Sequence, residues 1–138
     1  MKTKLLTTSD QTEQAGFELA KQLTVPAIIF LEGQLGAGKT TFVRGLMRGL
    51  GYTGTVKSPT FTLIETYSLP EKEILHADLY RLKNPLELEA MGFRDYFTDK
   101  SIVLIEWANH AEEILPTPTL RCILRIPENG VGRLLEIL

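Results

Sequence analysis

The stretch GQLGAGKT, Gly33 to Thr40, constrains the fold more than any other part of the chain. It fits the pattern G-x-x-x-x-G-K-[S/T] and follows AIIFLE, which is apolar on both faces, as a strand in the middle of a sheet must be. It opens KTTFVRGLMRGLG, where Phe42, Val43, Leu46, Met47 and Leu50 repeat on one side, Arg44 and Arg48 on the other, and Gly51 closes the helix. Strand, glycine turn and helix in this order predict an α/β fold: a P-loop NTPase-like mixed β-sheet flanked by helices. Gly36 and Gly38 allow a tight turn that aims successive N–H groups inward, and the helix adds the positive end of its dipole. A loop of this kind, running from Gly33, suits a triphosphate, with Lys39 reaching the β and γ phosphates and the Thr40 hydroxyl offered to Mg²⁺. Thr41 is either a second polar contact or a first-turn helix residue. The flanking elements argue against a merely flexible glycine loop.

A chain of 138 residues is one domain's worth, so a single P-loop ATPase domain over 1–138 is expected. The formal net charge of −2 gives no global pull toward nucleic acid or membrane. Cys122 stands alone, which excludes an internal disulfide and reads as a small buried residue on a strand. MKTKLLTTSDQ has no apolar stretch of signal-peptide length, and AIIFL and IVLI are far short of a membrane span, so a soluble cytoplasmic protein is expected.

Elsewhere KLLT reads as a short strand. Thr8, Ser9 and Asp10 are cap candidates for a helix with apolar positions at Phe17, Leu19, Ala20 and Leu23. FTLIETYSL and KEILHADLYRL, joined by PEK, suggest an antiparallel pair, and LRCILRI with VGRLLEIL a terminal hairpin, so antiparallel hairpins make the sheet mixed. NPLELEAMG is a short helix with Asn84 at its cap, Pro85 at its first position and Gly92 at its close. IVLIEW is a strand, and ANHAEEIL one or two helical turns.

A phosphate loop needs a second acid for the magnesium and a positioned water before it hydrolyses anything. Two strand ends offer them. Alternation puts His76, Asp78 and Tyr80 on one face of ILHADLYR, with Ala77, Leu79 and Arg81 on the other. His76 reads as holding an acid in place rather than as an acid–base group. Asp78 is either part of the site or a solvated hairpin acid. Glu106 ends a core strand, where open α/β sheets place ligand chemistry, against the alternative of an exposed acid leaving the core. Trp107 reads as core packing or as a functional residue, on the opposite face from Glu106. Arg44, Arg48 and Lys57 read as a solvated face rather than a partner surface.

GQLGAGKTTF, KSPTFTLIETY, HADLYRL and IVLIEW, in this order and spacing, closely resemble the TsaE family, bacterial P-loop ATPases needed to make threonylcarbamoyladenosine in tRNA. The resemblance runs from about Ser9 to the terminal hairpin. It implies that Leu35, Gly36, Ala37, Gly38, Lys39 and Thr40 hold the phosphates of ATP, that Thr40 and Glu106 ligate Mg²⁺, and that Asp78 and Trp107 are needed for function. Ser9 matches a family nucleotide contact, though its local reading is a helix cap. SPTF, Ser58 to Phe61, looks like the family's switch segment, and the Glu of IVLIEW follows the family pattern. The resemblance also implies partners, the TsaD and TsaB proteins, and leaves direct tRNA contact open.

Three functions compete: an ATP-hydrolysing subunit of tRNA modification, a stand-alone small-molecule kinase, and a nucleotide-dependent switch protein. The kinase would need an Arg-rich lid and an acceptor pocket that the sequence does not display. The guanine-nucleotide switch would need N-K-x-D and D-x-x-G, and neither occurs. No clear arginine finger stands in the sequence, so slow turnover without partners is expected.

Overall fold

The computed structural model describes residues 2–138. Along the chain lie β1 (Lys2–Leu6), α1 (Ser9–Ala20), β2 (Ala27–Glu32), α2 (Lys39–Leu50), β3 (Ile64–Leu69), β4 (Lys72–Asp78), α3 (Leu86–Ala90), β5 (Ser101–Glu106), β6 (Leu120–Arg125) and β7 (Arg133–Ile137). Short 3-10 helices cover Phe93–Tyr96, Ala108–His110 and Glu112–Ile114. The strands form the mixed sheet that the sequence leads one to expect, seven-stranded in the order β1-β7-β6-β2-β5-β4-β3 with helices flanking it. The described residues fall into two compact units: 2–23, 31–56 and 120–138 in the first, and 24–30 with 57–119 in the second.

In the first unit α1 and α2 pack backbone to backbone. A Cβ on Gly45 would lie 1.8 Å from the Glu13 carbonyl oxygen, and one on Gly16 2.2 Å from that of Phe42, so glycine is what lets the helices close. The cap of α1 is Thr8, whose hydroxyl accepts the Gln11 N–H at 3.2 Å, while the Gln11 side chain accepts the Thr7 N–H at 2.7 Å. Ser9 is therefore the first helical residue rather than the cap. Of the expected apolar positions Leu19 and Ala20 are buried, whereas Phe17 and Leu23 are half-buried. All five expected core residues of α2 are buried. Arg48 departs from a solvated face: its guanidinium donates to the carbonyls of Tyr52 and Gly54 at 3.0 and 2.9 Å, securing the loop after the helix. Arg44 is exposed as expected. β7 pairs antiparallel with both β1 and β6, and Cys122 is buried on β6.

In the second unit β3 and β4 are antiparallel, from Ile64 opposite Ala77 to Leu69 opposite Lys72, so the turn is Pro70-Glu71 alone rather than PEK. Phe61 to Leu63 form a turn instead of beginning β3. Leu63 takes a left-handed φ of 67° there, and its N–H donates to the Pro59 carbonyl at 2.8 Å. β4 and β5 run parallel, with Asp78 abreast of Glu106. Leu75 and Ala77 of β4 with Val103 and Ile105 of β5 face a core containing Leu79, Leu88, Phe93 and Ala108. Fully burying a leucine such as Leu79 or Leu88 contributes about 1.5–3 kcal/mol. Alternation then puts His76, Asp78 and Glu106 on the opposite face of this ladder. Before α3, Asn84 Oδ1 accepts the Leu86 N–H at 3.0 Å and Glu87 Oε2 accepts that of Asn84 at 3.1 Å, the ends read from NPLELEAMG. The helix itself begins one residue later than expected, at Leu86. Among the described residues no helix is long and apolar enough to cross a membrane.

Candidate functional site

The glycine loop leaves the carboxyl end of β2 and enters α2. Gly36 and Gly38 have φ of 82° and 100°, and a Cβ on Gly36 would meet nothing within 4 Å. Backbone conformation, not lack of space, requires glycine there, because an L side chain in that region costs roughly 1–2 kcal/mol. Ala37 is fully buried and anchors the loop, while Leu35 at its crest is 65% exposed. Lys39 is buried, and its ammonium donates to the Gly33 carbonyl at 2.5 Å, so the cation is held inside the loop by the loop's own backbone. Thr40 is exposed in the first turn of α2.

Beside the loop lies a cleft of about 310 Å³ lined by Ser9, Thr12, Gly36, Gly38, Thr41 and Arg133 among others, with no carboxylate in its wall among the described residues. Arg133 donates to the Gly36 carbonyl at 3.1 Å and to that of Gly132 at 2.6 Å. Hydroxyls, a guanidinium, a buried ammonium and the start of a twelve-residue helix make this an anion-binding environment, and the open Gly36 leaves room for backbone to approach a phosphate. These residues fit a nucleotide's phosphates.

In the second unit both expected acids are buried, which removes the solvated alternatives for Asp78 and Glu106. Asp78 Oδ1 accepts the Tyr80 N–H at 3.0 Å, and Oδ2 accepts the Thr60 hydroxyl at 3.2 Å. Thr60 belongs to SPTF, so the switch-like segment is tied to this carboxylate. Glu106 Oε2 lies 2.6 Å from His76 Nε2, with His76 as buried as its partner. An ionised carboxylate only accepts, so the imidazole donates from Nε2. Two like charges abreast on neighbouring strands repel, and here each is served by donors of its own.

Past these acids the strand readings stop. β4 ends at Asp78, so Tyr80 and Arg81 lie in a turn and alternation assigns neither to a face; the Arg81 guanidinium instead lies over the Phe61 ring, 4.3 Å from its centre. Trp107 has φ 58°, which ends β5 and starts a 3-10 helix, so its expected placement opposite Glu106 by alternation does not apply. It is half-buried, with ring centres 5.0 Å from Tyr80 and 5.7 Å from His110, and His110 Nδ1 donates to the Leu79 carbonyl at 2.7 Å.

The structure thus gathers Ser9, Gly36, Gly38 and Thr41 around one cleft, and Asp78, Glu106 and Trp107 at two adjacent strand ends. Thr40 belongs to the first unit and Glu106 to the second. Among the described residues no three His, Cys, Asp or Glu side chains are grouped to hold a metal. A cation served by Glu106 would have to complete its shell with hydroxyl, phosphate or water oxygens, the habit of magnesium. The sequence does not single out Arg133, Thr12 or Thr60 as site residues. Arg133 stands 94 positions after the loop's lysine in an ordinary hairpin pattern. Only the SPTF segment gave a signal, for Thr60.

The family model described as "Threonylcarbamoyl adenosine biosynthesis protein TsaE" matches residues 6–133. The "tRNA threonylcarbamoyladenosine biosynthesis protein TsaE" of Haemophilus influenzae is 56% identical over 99 residues, covering 71% of this chain and 63% of that protein. Its Bacillus subtilis counterpart is 43% identical over 98 residues, 71% of this chain and 61% of that one. The matches therefore span less than two thirds of either relative. The Rickettsia bellii protein of the same name is 35% identical over 123 residues, 88% of this chain and 85% of its own. The crystal structure of Bacillus subtilis YdiB superimposes with a TM-score of 0.78 at 30% identity, over 99% of this chain and 84% of the other.

Proposed function

Since the chain belongs to the TsaE family, we propose that it is a cytoplasmic ATP-hydrolysing subunit required for threonylcarbamoyladenosine modification of tRNA, working with the TsaD and TsaB proteins. The observation that carries the ATPase part is the loop: left-handed glycines at 36 and 38, a buried Lys39 cation, and a carboxylate-free cleft beside it. In this reading the loop amides and Lys39 bind the β and γ phosphates, and Ser9, Thr41 and Arg133 line the approach. Thr40 and Glu106 would hold Mg²⁺, which when bound neutralises charge on the phosphoryl group being transferred. Asp78, fixed by the Tyr80 amide and the Thr60 hydroxyl, supplies an immobile acceptor of the kind that orients an attacking water. Trp107 sits where that turn meets the end of β5, and the names of the relatives support the pathway.

Calorimetry with ATP and GTP, followed by tRNA modification assays with and without TsaD and TsaB, tests the proposal. Expected are Mg-dependent binding of ATP over GTP, slow hydrolysis by the chain alone, acceleration by the partners and loss of modified tRNA when the chain is omitted. Transfer of phosphate to a small acceptor, or a preference for GTP, would point to the kinase or the switch instead.

A further inference from the structure

His76 is a costly residue to bury where it is. It is 3% exposed, it spends Nε2 on Glu106, and among the described residues its Nδ1 has no hydrogen-bond partner. Leaving a buried ring nitrogen unpaired costs free energy, and a half-satisfied polar pair is worse for stability than an apolar one of the same shape. A branched or aromatic hydrocarbon at position 76 would join Ile74, Ile102 and Leu104, buried on the same face, without that cost. Stability alone therefore does not account for the imidazole.

Position does. In the parallel ladder Asp78 is abreast of Glu106, while His76 is abreast of Leu104, one side-chain step back along the same face. A glutamate at the end of a strand has three rotatable bonds, and a second carboxylate, Asp78, stands abreast of it on the neighbouring strand. The bond from Nε2 takes one carboxylate oxygen and draws Glu106 back along β5, away from Asp78, whose own oxygens are held by Tyr80 and Thr60. The geometry points to His76 as a positioning residue: it fixes the rotamer of Glu106 and keeps the two acids apart, so that Glu106 meets a divalent cation without reordering. This rests on the reading that Glu106 serves Mg-ATP. His76 itself touches neither metal nor nucleotide in this assignment.

His76→Phe keeps the ring and removes the donor, whereas His76→Gln keeps an N–H donor at a similar reach. The fluorescence of Trp107, the chain's single tryptophan and the residue after Glu106, reports Mg²⁺ added to the ATP complex, and calorimetry in EDTA reports nucleotide affinity without metal. For His76→Phe the expected result is a roughly tenfold higher Mg²⁺ concentration at half-saturation, about the worth of one hydrogen bond to a charged group, with metal-free ATP affinity unchanged. His76→Gln should fall close to wild type. Wild-type Mg²⁺ dependence in His76→Phe, or equal damage in both variants, would overturn the positioning role while leaving the ATPase reading standing. A wild-type chain whose ATP binding ignores Mg²⁺ would overturn both. Should His76→Phe fail to fold, the ring-nitrogen NMR spectrum of the wild-type chain still decides: a proton on Nε2 and none on Nδ1 is expected, and the opposite tautomer contradicts the assignment.

Discussion

The glycine loop of the first unit and the paired acids of the second put polar groups at strand ends by opposite means. The loop works through backbone: its shape comes from φ values that only glycine adopts cheaply, and its single buried cation is bonded to a backbone carbonyl. The acids work through side chains: Asp78 and Glu106 are buried, and each is held by a neighbour distant in sequence, Thr60 and His76. A backbone site is written in consecutive residues and a side-chain site in register. The first should be sensitive to anything that alters the main chain, the second to the loss of one partner.

The largest effect is expected at the support of the loop. Gly45→Ala would drive a methyl group into the Glu13 carbonyl, and denaturant melts should show a loss of about 3 kcal/mol, the upper part of the overpacking range. A loss below about 0.5 kcal/mol would mean that α1 yields and that the loop's base is not rigid. Next comes the cation: in the proposed function Lys39→Ala removes a charged donor to phosphate, so calorimetry should find roughly 100-fold weaker ATP binding. The apo fold should lose only about 1 kcal/mol, the worth of the bond to Gly33.

The acid end is sharpened by a reversal of the usual order. Glycine in place of alanine normally weakens a protein, but Trp107 has φ 58°, so both truncations lose the aromatic contacts while only alanine keeps the backbone strain. Trp107→Gly should be about 1 kcal/mol more stable than Trp107→Ala in urea unfolding. The opposite ranking would show that the turn relaxes and that Trp107 is held by packing alone. A smaller effect concerns Cys122, whose thiol burial pushes up to about 12. The folded chain keeps that proton where an unfolded thiol, near 8.5, releases it. Stability from this source is therefore intact below about pH 8.5 and declines as pH rises toward 12. A thiol probe at pH 9 should label the chain only after unfolding.

Legibility followed the same division. GQLGAGKT, the α2 stripe, the buried β4 and β5 and the caps around NPLELEAMG could be read because their signals are local: a motif, a period, a pair of cap residues. The ends of β4 and β5 could not. Nothing in DLYR says that the strand stops at Asp78, and nothing in EWAN says that a tryptophan will take a left-handed φ, so alternation fails three residues past the end of β4 at Arg81 and one past the end of β5 at Trp107. Arg133 lies on β7, and its bond to Gly36 depends on pairing across the first unit, which periodicity does not encode. Arg48 looked like a helix-face charge because its carbonyl partners, Tyr52 and Gly54, come from a loop with no pattern of its own.

In the proposed function nucleotide holding and metal service are separate tasks, the first done by the loop and the second by Glu106. Glu106→Gln tests it most directly, because the amide oxygen still accepts from His76 Nε2 while the charge is gone. ATP affinity in EDTA should stay within about threefold of wild type, and Mg-dependent hydrolysis should fall by roughly 100-fold, the worth of a buried charge on the metal. Equal loss of metal-free binding and hydrolysis, or hydrolysis at the wild-type rate, would contradict the division.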